Sequence, residues 1–293
     1  KPDLIHAYDW STYLAGVYLS EIHQVPLLVS MQLSANALVN VGITNCSDFN
    51  SVDGKWLHKA HVESEWLGLT KADKIINVSE GYSNYFPQFK DKTTIIPNGI
   101  DLNDWKDGKK IKLPGENKYK IVYIGRFAMM KGIHLLSKID IPEGIDLIFV
   151  GADKGGDKIC IDELNQFIDK NPNVYYYGPA YEQDKINILT SADAVIMPSI
   201  HEPFGIVALE ALASKSILIS SRVDGMGDFL NDNNSIKCEL SKEGIEKSIK
   251  QFLSFNIEKK DYMINNGIET CKKYKWDDIA EEYYKIYTSL CKK

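Results

Sequence analysis

Two carboxylates, Glu202 and Glu210, stand in the segment Ser199-Ile-His-Glu-Pro-Phe-Gly-Ile-Val-Ala-Leu-Glu210. An apolar run ends at Ser199, a loop follows, and Pro203 and Gly205 lead into an apolar helix. A strand–loop–helix junction at the carboxyl end of a parallel sheet is where such folds bind ligands. The unpaired amides at a helix start suit a diphosphate. Gly205 has no Cβ, so a ligand can approach the backbone closely there. Glu210 sits within the apolar run 206–212, where a carboxylate is costly to bury unless something bonds it. A pair of ligand hydroxyls would serve as partner; the plainer alternative is a helix with one glutamate reaching out to water. A second cluster, Gly125-Arg126-Phe-Ala-Met-Met-Lys131-Gly132, places two cations just after another apolar run, 120–125.

These groups need a framework, and the hydrophobic pattern supplies one. Strands are expected at 4–8, 26–31, 74–79 and 93–97 in the first part of the chain. In the second part they are expected at 120–125, 146–151, 174–178, 194–199 and 216–220. Helical stretches are expected at 11–23, 55–70, 131–138, 159–170, 182–191 and 206–214, with helix again from 241 to the end. The strands are near-continuous apolar runs, the mark of parallel strands buried on both faces. Repeated βα units imply α/β architecture with doubly wound parallel sheets. The stretch 104–118 is polar, rich in Lys, Gly and Pro, without an apolar face, and reads as a linker between two domains.

The segment from Glu202 to Glu210 resembles the Glu-x7-Glu signature of retaining glycosyltransferases of the GT-B fold, the group that includes the glycogen and starch synthases. Its Pro-Phe-Gly interior makes the match specific. Gly125-Arg126 with Lys131-Gly132 resembles the family's diphosphate grip. A departing nucleoside diphosphate gains negative charge as the glycosidic bond breaks, so two fixed cations act most strongly in the transition state. Arg offers a bidentate fork and Lys a point charge. The segments 96–101, 149–151, 191–199, 221–228 and 276–290 also resemble family elements in the expected order. Tyr177-Gly178-Pro179-Ala180 resembles the loop that holds the nucleobase. In the first part, Ile5-His6-Ala7-Tyr8-Asp9-Trp10 resembles a His-x-His-Asp-Trp element, with Tyr8 in place of the second histidine. Pro26–Gln32 resembles a strand that ends Thr-x-His, with Gln32 in the histidine's place.

The resemblance implies two Rossmann-like domains facing a cleft. Residues 1–103 would form an acceptor-side domain, 104–273 the nucleotide-sugar domain, and 274–293 a helix crossing back to the first. The first domain would be incomplete, because the family's opening strand and glycine-rich loop have no counterpart. Arg126, Lys131 and Glu202 would be catalytic. Glu210 would bind ribose, and Gly125, Phe204, Gly205, Ile206, Tyr177, Gly178, Pro179 and Asn98 would complete the donor site. His6 and Gln32 would lie near the acceptor or donor sugar. The implied reaction moves a hexose, glucose by the similarity of the His6 element to glycogen synthases, from a UDP-, ADP- or GDP-sugar to a hydroxyl of a carbohydrate or other acceptor. The resemblance implies no cofactor beyond that substrate, and no metal-ligand cluster stands out. An epimerase or phosphorylase on the same scaffold, or a non-catalytic nucleotide-sugar-binding module, are the alternatives. A glycosidase pair is disfavoured, since a cationic diphosphate grip has no use there.

Composition fits. The 293 residues suffice for two domains, and 44% hydrophobic with 25% charged residues is a globular profile. A net charge of −6 without a basic block argues against nucleic acid as partner. No apolar run approaches the ~20 residues that span a bilayer. Five cysteines, at 46, 160, 238, 271 and 291, form neither a framework nor a Cys-x-x-Cys, which points to a reducing compartment, the cytoplasm. Asn-x-Ser sequons at Asn45, Asn77 and Asn233 read as chance matches.

Overall fold

The computed structural model describes residues 1–40, 52–152 and 156–291; the sequon at Asn45 and Cys46 lie outside them. The chain divides into two compact units, Lys1–Gly99 with Trp276–Lys293, and Ile100–Lys275.

In the first unit β1 (Ile5–Tyr8), β2 (Leu27–Met31), β3 (Lys74–Asn77) and β4 (Thr93–Ile95) form a parallel sheet in the order β1-β2-β3-β4. Helices α1 (Tyr13–His23), α2 (Ala35–Asn40), α3 (Val52–Lys71) and α4 (Glu80–Ser83) lie along its connections. All five residues of β2 are buried, as expected of a central parallel strand.

The second unit holds β5 (Tyr119–Ile124), β6 (Ile145–Val150), β7 (Val174–Gly178), β8 (Ala194–Met197), β9 (Ile217–Ser220) and β10 (Ile236–Lys237). Its helices are α5 (Ile133–Leu136), α6 (Lys158–Lys170), α7 (Glu182–Ser191), α8 (Ile206–Ala213), α9 (Lys242–Ser254) and α10 (Ile257–Cys271). The strand order is β10-β9-β8-β5-β6-β7, all parallel. This is the doubly wound order 3-2-1-4-5-6 read from the other edge, with β5 as first strand. Ile121, Phe149, Ile196 and Ile219 from the strands pack with Phe167 of α6 and Phe252 of α9. Helix starts are fixed locally: Ser241 accepts from the Gly244 amide and Asn256 from the Lys259 amide, each satisfying an orphan donor. The last helix, α11 (Trp276–Cys291), places Ile279, Ile286 and Leu290 on one face. That face packs with Leu28, Ile76 and Ile96 of the first unit, which explains why α11 belongs there.

Two expectations change. Residues 104–118 carry no regular element, but they are not a free tether. The Lys109 amide donates to Asn187 (2.9 Å), the Ile111 amide donates to Ser191 (2.7 Å), and Leu113 is buried. These bonds fasten the stretch to the second unit, and the chain passes between units at 99–100. The edge strand β10 was not expected: two residues are too few to show a pattern.

Candidate functional site

In the second unit β5 leads outward to β6 and β7, whereas β8 returns to the other side of β5. Connections from neighbouring strands diverge there, and in such sheets ligands bind beyond the carboxyl ends of the strands at this point, here β5 and β8. The loop after β5 carries Arg126 and Lys131; the loop after β8 carries Glu202 and Gly205. The topology therefore brings the two sequence clusters together.

Hydrogen bonds lock the two loops side by side. The carbonyl of Met130 accepts from the amides of Ile200 (2.8 Å) and His201 (3.2 Å). Gly132 takes the left-handed conformation (φ 71°), and a Cβ on it would lie 1.8 Å from the Pro198 carbonyl oxygen. Only glycine permits that approach. Lys131 Nζ in consequence donates to Glu202 Oε2 at 2.5 Å, and Ser199 Oγ donates to the same oxygen at 3.4 Å. Both charges are largely buried, at 20% and 10% side-chain exposure, so each compensates the other's desolvation. Arg126 differs. It is exposed, its carbonyl accepts from the Tyr123 hydroxyl (2.6 Å), and its guanidinium lies 3.6 Å from Met130 Sδ. Among the described residues it makes no ion pair, so its charge is available beyond the end of β5.

Glu202 is also held through its backbone. Its amide donates to Asp224 Oδ2 (2.9 Å), and its carbonyl accepts from the Gly225 amide (3.2 Å). The same Asp224 oxygen lies 2.7 Å from Nδ1 of the fully buried His201. Asp224 takes a left-handed backbone (φ 45°), unusual for a residue other than glycine.

Gly205 caps α8 in the left-handed region (φ 98°). Its carbonyl accepts from Ala208 and Leu209, and the amides of Ile206 and Val207 precede that first rung. Ile206 is exposed at the helix start. Phe204, expected in the donor site, turns its ring inward. It is buried against Phe229 (5.4 Å between centroids) and Tyr274 (5.7 Å), because a phenyl ring gains more from an aromatic cluster than from water. Glu210 meets an unexpected partner. It is 9% exposed, and its Oε1 accepts from Lys185 Nζ of α7. Tyr177, Gly178 and Pro179 lie at the end of β7, two strands away from β5. The Gly151 amide donates to the Gly178 carbonyl (3.0 Å), tying that loop to the end of β6. Gly125 follows β5, and its amide donates to Val150 (3.0 Å).

His6, Gln32 and Asn98 fall in the first unit. His6 Nε2 lies 2.8 Å from Ser30 Oγ and Nδ1 2.9 Å from the Tyr287 hydroxyl. Burial lowers its pKa below the usual histidine value, which favours a neutral ring that donates on one side and accepts on the other. Gln32 donates to the Tyr8 hydroxyl (2.7 Å) and accepts from Asn98 Nδ2 (2.9 Å). His6, Tyr8 and Asn98, with Trp276, Tyr283 and Tyr287, line a cavity of about 460 Å³. Among the described residues no group of three His, Cys, Asp or Glu could hold a metal ion. No helix among them is long and apolar enough to cross a membrane.

Lys185, His201 and Asp224 escaped sequence reasoning. Lys185 and Glu210 are 25 residues apart on different helices, a separation with no periodic signature.

Comparison with known proteins gives the family and the fold. A family model described as "Glycosyl transferases group 1" matches residues 105–270, more than half of the chain. An uncharacterized glycosyltransferase of Methanocaldococcus jannaschii is 27% identical over 98% of this chain and 75% of its own length. Glycogen synthase of Mycobacterium tuberculosis is 25% identical over 81% of this chain and 56% of its own length. In structure, the Anabaena protein HepE, solved in complex with UDP and glucose, superposes with a TM-score of 0.79 at 18% identity, over 98% of this chain and 78% of that one. The fold is GT-B, two Rossmann-like parallel-sheet units, and the chain belongs to the glycosyl transferases group 1 family.

Proposed function

We propose that the chain transfers a hexose, glucose in this reading, from a nucleoside diphosphate sugar to an acceptor hydroxyl with retention of configuration. The observation that carries the reading is the Lys131–Glu202 pair at the switch point of the second sheet, with the unpaired Arg126 beside it. Without ligand, Lys131 and Glu202 neutralise each other. A diphosphate offers the ammonium a more highly charged partner and frees Glu202 to accept from sugar hydroxyls. Arg126 and Lys131 then stabilise the charge that grows on the leaving diphosphate. The amides at the start of α8 add their dipoles. Glu210 accepts from the ribose hydroxyls. The acceptor attacks from the face the diphosphate leaves, and a diphosphate oxygen takes its proton, so no protein nucleophile is needed. HepE, solved with UDP-glucose, and the catalytic domain of Starch Synthase IV from Arabidopsis thaliana, solved with ADP, support UDP- or ADP-glucose as first donors to try. We assign the acceptor side to the first unit, with His6 and Gln32 as its polar groups. The described cysteines are all free thiols, which accords with the cytoplasm.

The test is proton NMR of the chain with UDP-, ADP- or GDP-glucose and a panel of sugar acceptors. Transfer with an α-linked product supports the proposal; a β-linked product refutes retention. Arg126→Ala should lower kcat/KM about 10²–10³-fold, the scale for removing one transition-state donor. A chain that binds donor but never releases diphosphate would instead be a binding module. The Tyr8–Gln32–Asn98 hydrogen-bond chain, with Tyr8 and Gln32 where the resemblance places histidines, is the observation that favours that second reading.

A further inference from the structure

The ribose role of Glu210 leaves unexplained why a lysine occupies one of its oxygens. In α8 every residue from Ala208 to Ala213 is buried, and Glu210 is the one charged side chain in that run. Its side chain is 12% exposed. Oε1 accepts from Lys185 Nζ, and Oε2 makes no hydrogen bond among the described residues. Lys185 lies in the first turns of α7, which begins directly after the 178–181 loop. The pair therefore links the helix that follows the loop expected beside the nucleobase to the carboxylate expected at the ribose. A carboxylate has about four acceptor sites, and one ammonium hydrogen uses one of them.

We infer that Lys185 is a positioning residue for ribose: it clamps Oε1 of Glu210 so that Oε2 presents to the vicinal hydroxyls of a ribonucleotide. The inference rests on the donor-site reading above. Without the ammonium, the carboxylate of this largely buried side chain would face desolvation alone and turn toward water. A turned carboxylate no longer meets the hydroxyls, while base and diphosphate contacts are untouched. Lys185 thus governs discrimination between nucleotides with and without ribose hydroxyls, more than nucleotide affinity in general. Hydrogen bonds to a charged group set the scale at about tenfold or more.

The experiment is calorimetric titration with UDP, ADP and GDP and with the 2′,3′-dideoxy form of each one that binds. The full chain is compared with Lys185→Met, Lys185→Gln and Lys185→Arg, each checked for folding by urea denaturation. The native chain should prefer the ribose form by about tenfold or more. In Lys185→Met or Lys185→Gln the ribose form should weaken to within about twofold of the dideoxy form, whose affinity should not change, and Lys185→Arg should restore the preference. Equal weakening of both forms would show a merely structural salt bridge and overturn the inference, as would an unchanged preference. If the native chain binds diphosphates without preferring ribose, the inference fails and the diphosphate site stands. If it binds none of the three, the donor-site reading fails and the inference with it.

Discussion

Gly132→Ala tests the link between backbone geometry and site most sharply. Gly132 sits at φ 71°, ψ 17°, where an alanine costs about 1–2 kcal/mol. Its new Cβ would lie 1.8 Å from the Pro198 carbonyl oxygen, whereas ordinary contact begins near 3.4 Å. One loop must therefore retreat by about 1.6 Å, the difference between those distances. The bonds holding the loops together are those from the Ile200 and His201 amides to Met130, each worth about 0.5–1.5 kcal/mol net. Losing both and adding the backbone cost gives about 2–5 kcal/mol of destabilisation. The same retreat breaks the 2.5 Å contact of Lys131 with Glu202 and moves the ammonium out of register with a diphosphate. Urea denaturation measures the first effect and calorimetric titration with UDP, ADP and GDP the second. A loss below about 1 kcal/mol with unaltered nucleotide affinity would refute the claim that this glycine sets the site.

Other expectations concern single groups. Asp146 is fully buried, accepting from the Lys120 ammonium and from the Asn117 amide and side chain. Asp146→Ala should cost about 3 kcal/mol, the low end for breaking a buried pair because Lys120 keeps some solvent, as read by chemical denaturation. Phe204→Leu should lower stability and yet leave nucleotide affinity within about twofold, since the ring packs inward; a large loss of affinity would return Phe204 to the ligand site. Burial lowers the pKa values of His6 and His134 below 6.5. The unfolded chain then binds more protons than the folded one, so stability is full above pH 6.5 and declines as pH falls from 6.5 toward the lowered folded values. Urea midpoints at pH 7.5 and 5.5 should show the decline, shallower in His6→Gln, and a rise on acidification would contradict it.

The sheets were legible because their strands are short apolar runs at regular spacing, and parallel strands buried on both faces leave little else to read. Arg126, Lys131 and Glu202 were legible because each follows a strand, and the doubly wound order forces the ends of β5 and β8 together. What could not be read is what each charge touches. The Lys131–Glu202 and Lys185–Glu210 pairs depend on side-chain reach across loops and helices, and sequence distance does not encode that. The aromatic packing of Phe204 was hidden for a related reason. Its place in a ligand-facing motif says where the backbone runs, while the direction of its ring is decided by Phe229 and Tyr274. The fastening of 104–118 to the second unit rests on Asn187 and Ser191, polar residues that any helix surface could carry.

In the proposed donor site, beyond the carboxyl ends of β5 and β8, a nucleoside diphosphate binds through Arg126 and Glu210. Calorimetric titration with UDP, ADP and GDP, on the native chain and on Arg126→Ala and Glu210→Ala, tests it directly. At least one diphosphate should bind at one site, weakened at least tenfold by each substitution, about 1.4 kcal/mol. Binding that neither substitution affects, or no binding by the folded chain, would contradict it.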